Sequence, residues 1–172
     1  LPHAEGCRLG RRTIAAHTYA LDKLGIKIKT TTHEYELSAQ KLRPSEIVMY
    51  ESGDTACENT LTAAALIPGK TKISFASANY MVQEVCFFLE NLGVKIEGIG
   101  TSNLIVHGVK DINKNIEYWN SEDPIESMMF ISACVITDSR LTITRCPIDF
   151  LALELEKMNR MNLKFKILKK YF

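Results

Sequence analysis

A single thiol among three arginines is the first group of residues in this sequence that could do chemistry. The segment reads Glu5-Gly6-Cys7-Arg8-Leu9-Gly10-Arg11-Arg12, and a predicted helix follows from about Thr13 to Leu24. Glycines on both sides let a ligand approach the backbone closely, and the arginines with the helix N-terminus favour an anion such as phosphate. The same positive field raises the thiolate fraction of a cysteine. One interpretation is a reactive cysteine beside an anion site; the other is a solvated basic loop with an incidental cysteine.

His17 also has two interpretations. It follows Ile14 by three residues and precedes Leu21 by four, so a helix places all three side chains on one face that points towards packed structure. The first interpretation is a core histidine. The second is a histidine that meets an anionic ligand at the start of the helix.

The overall composition argues against several classes of protein. The chain has 21 Lys+Arg against 20 Asp+Glu, so no overall field attracts nucleic acid or an anionic membrane. No apolar run approaches the roughly 20 residues of a membrane helix and no signal-peptide pattern is present, which predicts a cytoplasmic protein. The 5 cysteines include no CxxC pair, so we expect neither a disulfide framework nor a zinc site. The start at Leu1 rather than methionine suggests a piece of a longer chain.

A sequence motif that predicts the end of a helix and the start of a strand, here called the repeated phrase, recurs about every seventy residues. Its first copy covers 21–28 and its second 89–96, with Gly25 and Gly93 at the same place in each. A weaker third copy, 158–165, has Asn162 instead, the next-best residue for a left-handed helix stop. A second phrase, 66–73, returns at 136–143. Two phrases with nearly the same period indicate one structural unit that is used more than once.

Within a unit the pattern predicts helix, strand, helix, strand, strand. Thr55-Ala56-Cys57-Glu58 is a predicted capping box, and Asp123-Pro124-Ile125-Glu126 is a predicted helix start with proline in the first turn. Tyr80 to Leu92 is predicted to be an amphipathic helix, and the strands 95–98 and 103–108 are predicted to follow it through a glycine turn.

The cysteine motif and the repeat together resemble a known family. Gly6-Cys7-x-x-Gly10-x-Arg12-x-x-x-x-His17 is similar to the G-C-x-I-G-x-R-P stretch of enolpyruvyl transferases of the UDP-N-acetylglucosamine 1-carboxyvinyltransferase kind. The likeness continues through Ala56-Cys57-Glu58-Asn59 and Asp123-x-Ile125-Glu126. The resemblance implies an α/β (α+β) fold, present here in part, with two lobes that are each an inside-out α/β barrel of about seventy-residue repeats. With a boundary in the polar stretch after Val109, residues 1–119 would belong to the cysteine-loop lobe and 120–172 would start the second lobe.

The resemblance also implies an activity and a set of site residues. The family transfers enolpyruvyl from phosphoenolpyruvate to the 3-hydroxyl of UDP-N-acetylglucosamine in peptidoglycan synthesis. Cys7 takes the place of the family's general acid, which fosfomycin attacks, and Arg12 that of an arginine that contacts substrate. The implied substrate-binding positions are Thr13, Ile14, His17, Ser52 and Gly53. The implied partners are the two small-molecule substrates and the remainder of the same chain, with no metal, cofactor, nucleic acid or membrane.

Several positions depart from the family pattern where the family binds its ligands. Thr13 replaces a proline, Ala15 an aspartate and Met81 a glutamate, while Glu51 and Asp54 bring two carboxylates to a stretch where the family has a lysine. Three hypotheses stay open: an enzyme of this kind, a divergent paralogue that binds without catalysis, and 5-enolpyruvylshikimate-3-phosphate synthase. The cysteine loop favours the first, and the two carboxylates favour the second.

Overall fold

The computed structural model describes residue 1 and residues 13–32, 34–39 and 41–168. The predicted cysteine loop, with Cys7 and Arg12, lies outside the described residues. The chain forms two compact units, Leu1–Tyr118 and Trp119–Phe172. Each unit is considered by itself below, and the assignment of 1–119 and 120–172 to two lobes stays a prediction.

The first unit begins with a helix and a two-stranded hairpin. Helix α1 spans Ala15–Lys23, and strands β1 (Ile26–Thr30) and β2 (Tyr35–Ala39) pair antiparallel. The predicted helix from about Thr13 to Leu24 is confirmed with narrower limits, because its caps are Ile14 and Leu24.

A four-stranded mixed sheet with two crossover helices forms the rest of the first unit. In chain order its elements are β3 (Glu46–Val48), α2 (Asp54–Ala65), β4 (Gly69–Ser74), α3 (Tyr80–Asn91), β5 (Lys95–Glu97) and β6 (Asn103–Gly108). The strand order is β3-β4-β6-β5, with β3 parallel to β4 and β6 antiparallel to both of its neighbours. The predicted order helix, strand, helix, strand, strand is therefore confirmed from α2 to β6.

The core lies between one face of this sheet and the helices. Burial alternates along β4, where Thr71 and Ile73 are buried and Lys70 and Lys72 are exposed, as expected for a sheet that is covered on one face. The predicted apolar face of α3 is confirmed. Its residues Val82, Cys86 and Leu89 are buried, and Val85 and Leu92 pack against the core.

The repeated phrase ends each of its three helices with a left-handed residue. The φ angles are 91° at Gly25, 98° at Gly93 and 59° at Asn162. In each copy the backbone N–H of this residue donates to the carbonyl three residues earlier. Glycine adopts this conformation at little cost and asparagine tolerates it. The prediction that Asn162 replaces glycine as a helix stop is confirmed.

The second unit is helical. It comprises α4 (Pro124–Ile136), a short 3-10 helix (Ile148–Leu151) and α5 (Ala152–Arg160). The predicted start of α4 is confirmed, because the Asp123 carboxylate accepts a hydrogen bond of 2.7 Å from the backbone N–H of Ile125.

The prediction that the repeat continues with strands in the second unit is wrong. Residues 141–143 and 163–165 are described and have no strand conformation. A strand exists only where another strand completes its hydrogen-bond ladder, and periodicity along the chain does not supply that partner. Together with residues of α4 and α5, both segments line an open cavity of about 630 Å³.

The polar stretch after β6 lies along α3 rather than forming a free linker. Val109 packs against the core, and the Lys114 ammonium donates to the carbonyl of Asn91 at 2.6 Å. The Tyr118 hydroxyl donates to Glu84 Oε1 at 2.8 Å. Burial, and then the Glu84 carboxylate, raise the pKa of Tyr118 to about 12, so the hydroxyl keeps its proton. This segment therefore belongs to the first unit as far as Tyr118.

An exposed charge cluster on β5 and β6 predicts a pH-dependent contribution to stability. Glu97 Oε1 lies 2.9 Å from both Lys95 Nζ and His107 Nε2, and these hydrogen bonds, Lys95 first, lower the pKa of Glu97. A carboxyl with a lower pKa in the folded state stabilises the fold above its unfolded pKa and loses that contribution as pH falls through the folded pKa. We expect Glu97→Gln to lower the melting temperature slightly at about pH 7, and this difference to be smaller at about pH 3.

Thermal denaturation at both pH values measures this difference. Glu90→Gln, on the exposed side of α3, is the matched control, and it should leave the melting temperature unchanged at both pH values. A difference in melting temperature between wild type and Glu97→Gln that is equally large at the two pH values would contradict a stabilising role of the Glu97 charge.

Candidate functional site

The starts of α2 and α3 meet in the first unit, and the first turn of α1 packs against the middle of α2; this part of the unit is here called the helix-start edge. His17, in the first turn of α1, contacts Asn59, the sixth of the twelve residues of α2. Asp54, the first residue of α2, contacts Ser77 and Asn79, which directly precede α3. Since helix N-termini present unpaired N–H groups and a partial positive charge, this edge favours anions.

Four of the predicted site residues lie at the starts of α1 and α2. The Thr13 hydroxyl accepts a hydrogen bond of 3.1 Å from the backbone N–H of Ala15, and Ile14 is the N-cap residue of α1. Ser52 is exposed, and Gly53 is the N-cap residue of α2 with an extended backbone. Thr13 and Ile14 thus lie at the start of the helix that carries His17, and Ser52 and Gly53 at the start of α2.

The predicted capping box at Thr55 is wrong. Helix α2 begins one residue earlier, at Asp54, and its N-cap Gly53 has no side chain to offer. The Asp54 carboxylate is hydrogen-bonded to the segment before α3 and does not cap its own helix. Glu58 is consequently one turn into the helix, where burial, with a smaller effect of the Asp54 charge, raises its pKa.

A carboxylate clamp holds the start of α2 against the start of α3. Asp54 Oδ1 accepts from the Ser77 hydroxyl at 2.5 Å, and Oδ2 accepts from the Asn79 amide at 2.8 Å. The Asn79 side chain also caps α3, since its Oδ1 accepts from the backbone N–H of Tyr80 at 2.7 Å. The sequence interpretation counted Asp54 as a charge presented to the ligand, but both of its oxygens are hydrogen-bonded within the protein.

Sequence reasoning missed Ser77 and Asn79. The available signal was local: both are residue types that cap helices, and they stand just before the apolar pattern of α3. Their contact with Asp54 had no sequence signal.

We expect Asp54→Ala to lower the free energy of unfolding by about 1–3 kcal/mol. The change removes two hydrogen bonds to a charged acceptor and leaves the hydroxyl proton of Ser77, a residue that is only 7% exposed, without its acceptor. Urea denaturation of the full-length protein measures the loss. Asp22→Ala is the control, because that carboxylate forms an exposed ion pair with Lys27 and should contribute little. Equal losses in both variants would argue against the clamp.

Glu51 lies over the start of α2. One of its carboxylate oxygens is 3.1 Å from the point where a β-carbon on Gly53 would stand. A carboxylate is stabilised at a helix N-terminus, and it competes there with any anionic ligand. Glu51, where the sequence departs from the family pattern, therefore changes the electrostatic field of the candidate site more than Asp54 does.

His17 belongs to the helix-start edge rather than to the core. It is half-buried, and its Nδ1 lies 2.8 Å from the side-chain amide nitrogen of Asn59. The interpretation as a buried core histidine is therefore wrong. Asn59 was not predicted as a site residue, because its contact joins positions 42 apart in the sequence.

The described thiols lack the features of a reactive cysteine. Cys57 and Cys86 are buried in the core, and burial raises the pKa of Cys57 to about 11 and that of Cys86 to about 12. Both are therefore neutral thiols at physiological pH and poor nucleophiles. Cys134 and Cys146 are half-buried in the second unit. Within the described ranges, no group of three or more His, Cys, Asp or Glu side chains could hold a metal ion.

Both fold and sequence define the class of this protein. The EPSP synthase (3-phosphoshikimate 1-carboxyvinyltransferase) family matches residues 5–169. The crystal structure of the enolpyruvyl transferase NikO from Streptomyces tendae superposes with a TM-score of 0.74 and 19% identity, over 92% of this chain and 41% of that chain. The chain has a mixed α+β fold and belongs to the EPSP synthase family of enolpyruvyl transferases.

Within that family, the chain is similar to proteins named UDP-N-acetylglucosamine 1-carboxyvinyltransferase. It is 37% identical to the one from Bradyrhizobium diazoefficiens, over 88% of this chain and 35% of that protein. It is 37% identical to the one from Treponema denticola, over 84% of this chain and 33% of that protein. It is 36% identical to the one from Campylobacter hominis, over 94% of this chain and 39% of that protein. The chain thus spans between 33% and 39% of the length of these relatives.

The described helices are all too short or too polar to cross a lipid bilayer.

Proposed function

We propose that the full-length protein transfers enolpyruvyl from phosphoenolpyruvate to the 3-hydroxyl of UDP-N-acetylglucosamine. The observation that carries the proposal is the Cys7 motif directly ahead of α1, in a chain that is 37% identical to transferases named for this reaction. The sugar hydroxyl adds to C2 of phosphoenolpyruvate while C3 gains a proton. The tetrahedral intermediate then loses phosphate from C2 and a proton from C3, which restores the C=C bond and leaves the enol ether on the sugar.

In this proposal Cys7 is the general acid and can also bond phosphoenolpyruvate covalently, while Arg12 contacts substrate. A thiol near cations can serve as proton donor or nucleophile, and departing phosphate needs positive charge close by. The general base and the other phosphate ligands come from the remainder of the same chain, with substrate bound between two inside-out barrels. The protein acts in cytoplasmic peptidoglycan synthesis.

The helix-start edge supports the proposal through its electrostatics. Both substrates carry phosphate groups, and helix N-termini stabilise such anions. Thr13, Ile14, Ser52 and Gly53 place their backbone at two of these N-termini, and His17 adds a polar ring beside them.

A divergent paralogue without catalysis is the second candidate, and the position of Glu51 favours it. A carboxylate over the start of α2 opposes a diphosphate at that place. Ala15 and Met81 likewise lack the carboxylates that the family has at these positions.

Release of inorganic phosphate from phosphoenolpyruvate by the full-length protein separates the candidates. Release that depends on UDP-N-acetylglucosamine supports the transferase. Binding of the sugar nucleotide by calorimetry with no release would identify the paralogue. Release that requires shikimate 3-phosphate instead would assign the protein to 5-enolpyruvylshikimate-3-phosphate synthases.

A further inference from the structure

We infer that Asn59 is a positioning residue that fixes His17 in one tautomer and so presents Nε2–H to the ligand at the helix-start edge. The distance between Asn59 Nδ2 and His17 Nδ1 is 2.8 Å. An amide nitrogen donates and does not accept, so Nδ1 of the neutral ring must be the acceptor. The proton of the neutral imidazole is then on Nε2.

The location makes the tautomer relevant to ligand binding. His17 is the third residue of α1, beside the free N–H groups at the start of that helix, and Asn59 holds it from the middle of α2. Asn59 occupies Nδ1 of His17, which leaves Nε2 as the ring nitrogen that can donate to a ligand. Nε2–H is therefore the group that His17 offers to a ligand.

An anionic or hydroxyl oxygen on the ligand distinguishes the two tautomers. The Nε2–H tautomer donates to such an oxygen, whereas the other tautomer turns a nitrogen lone pair towards it. If the ring exchanges freely between tautomers, only part of the protein carries the tautomer that binds, and the apparent affinity for the ligand falls by that fraction. Asn59 holds the ring in the binding tautomer and so prevents this loss of affinity without contacting the ligand.

The identity of the ligand rests on the proposed function: it is an oxygen of the sugar nucleotide. The tautomer itself does not depend on the proposed function. The two ideas can therefore fail separately.

The direct test is nitrogen NMR of the full-length protein labelled with ¹⁵N-histidine, recorded at alkaline pH. His17→Gln identifies the signal by its loss. We expect one protonated nitrogen, Nε2, in the wild type and a mixture of tautomers in Asn59→Ala. Asn59→Asp has nearly the same shape but accepts instead of donating, so it should move the proton to Nδ1.

Asn91→Ala is the matched control, since Asn91 is an exposed helical asparagine whose amide donates to the Phe87 carbonyl. It should leave the His17 signal unchanged. Should Asn59→Ala fail to fold, as judged by circular dichroism, Asn59→Asp alone decides the question. An unchanged Nε2–H pattern in the folded Asn59 variant overturns the inference.

Kinetics distinguish positioning from a merely structural role. For Asn59→Ala we expect KM for the sugar nucleotide to rise about tenfold, with kcat within about twofold of wild type. If the protein releases no phosphate, the proposed function fails, and the calorimetric Kd for UDP-N-acetylglucosamine replaces KM. A changed tautomer with an unchanged KM or Kd would overturn the ligand part of the inference.

Discussion

Cys7→Ser should lower the rate of sugar-dependent phosphate release by about 10²- to 10⁴-fold, because a hydroxyl is a much weaker acid than the loop thiol that it replaces. The full-length protein is assayed with phosphoenolpyruvate and UDP-N-acetylglucosamine at saturation. Cys146→Ser is the matched control, since that thiol is half-buried in the second unit and has no proposed role. Full activity of Cys7→Ser would remove the thiol from the mechanism.

Thiol labelling tests the same residue without any substrate. At about pH 8 we expect iodoacetamide, and separately fosfomycin, to modify Cys7 first. Cys57 and Cys86 should stay unmodified in the folded protein, because burial raises the pKa of these thiols to about 11 and about 12. Mass spectrometry of peptides gives the order of modification. Reaction of Cys7 no faster than that of the buried pair would contradict an activated thiol.

The two glycines of the repeated phrase should differ strongly in their response to alanine. Gly93→Ala should lower the free energy of unfolding by about 1–2 kcal/mol, the cost of a left-handed residue with a β-carbon. Its φ is 98°, and a β-carbon there would have no neighbouring atom within 4 Å. The space around this residue is open.

Gly25→Ala should cost about 1–3 kcal/mol more than Gly93→Ala, the usual cost of overpacking. Its φ of 91° is nearly the same, but a β-carbon there would overlap the backbone carbonyl of Lys41. The chain is held close at this point, since Arg43 N–H donates to the carbonyl of Leu24 at 3.1 Å. Urea denaturation of both variants measures the difference. Equal losses would show that the chain beside Gly25 moves away freely.

Local signals in the sequence were sufficient for several elements. Asp123 and Pro124 set the start of α4 because capping and the fixed φ of proline act within one turn. The apolar period of residues 80–92 was sufficient for α3, since one helical face must meet the sheet. The strand that the third copy of the phrase predicts at 163–165 is not formed, because a ladder depends on a second strand that local pattern does not specify.

The candidate site was predictable only in part. Family resemblance predicted Thr13, Ile14, His17, Ser52 and Gly53 as substrate-binding residues, and the structure places them at the starts of α1 and α2. The supporting residues were not predictable, because their contacts join positions that are 23, 25 and 42 apart in the sequence.

The repeated phrase shows where local sequence suffices and where tertiary contacts decide. Glycine and asparagine tolerate the left-handed region better than other residues, so Gly25, Gly93 and Asn162 at the ends of apolar helical patterns were sufficient to predict left-handed helix stops. Whether a side chain fits at Gly25 depends on Lys41, which folding brings against it. The role of Asp54 changes in the same way, from an apparent repulsive charge to a clamp, because its donors come from another helix start.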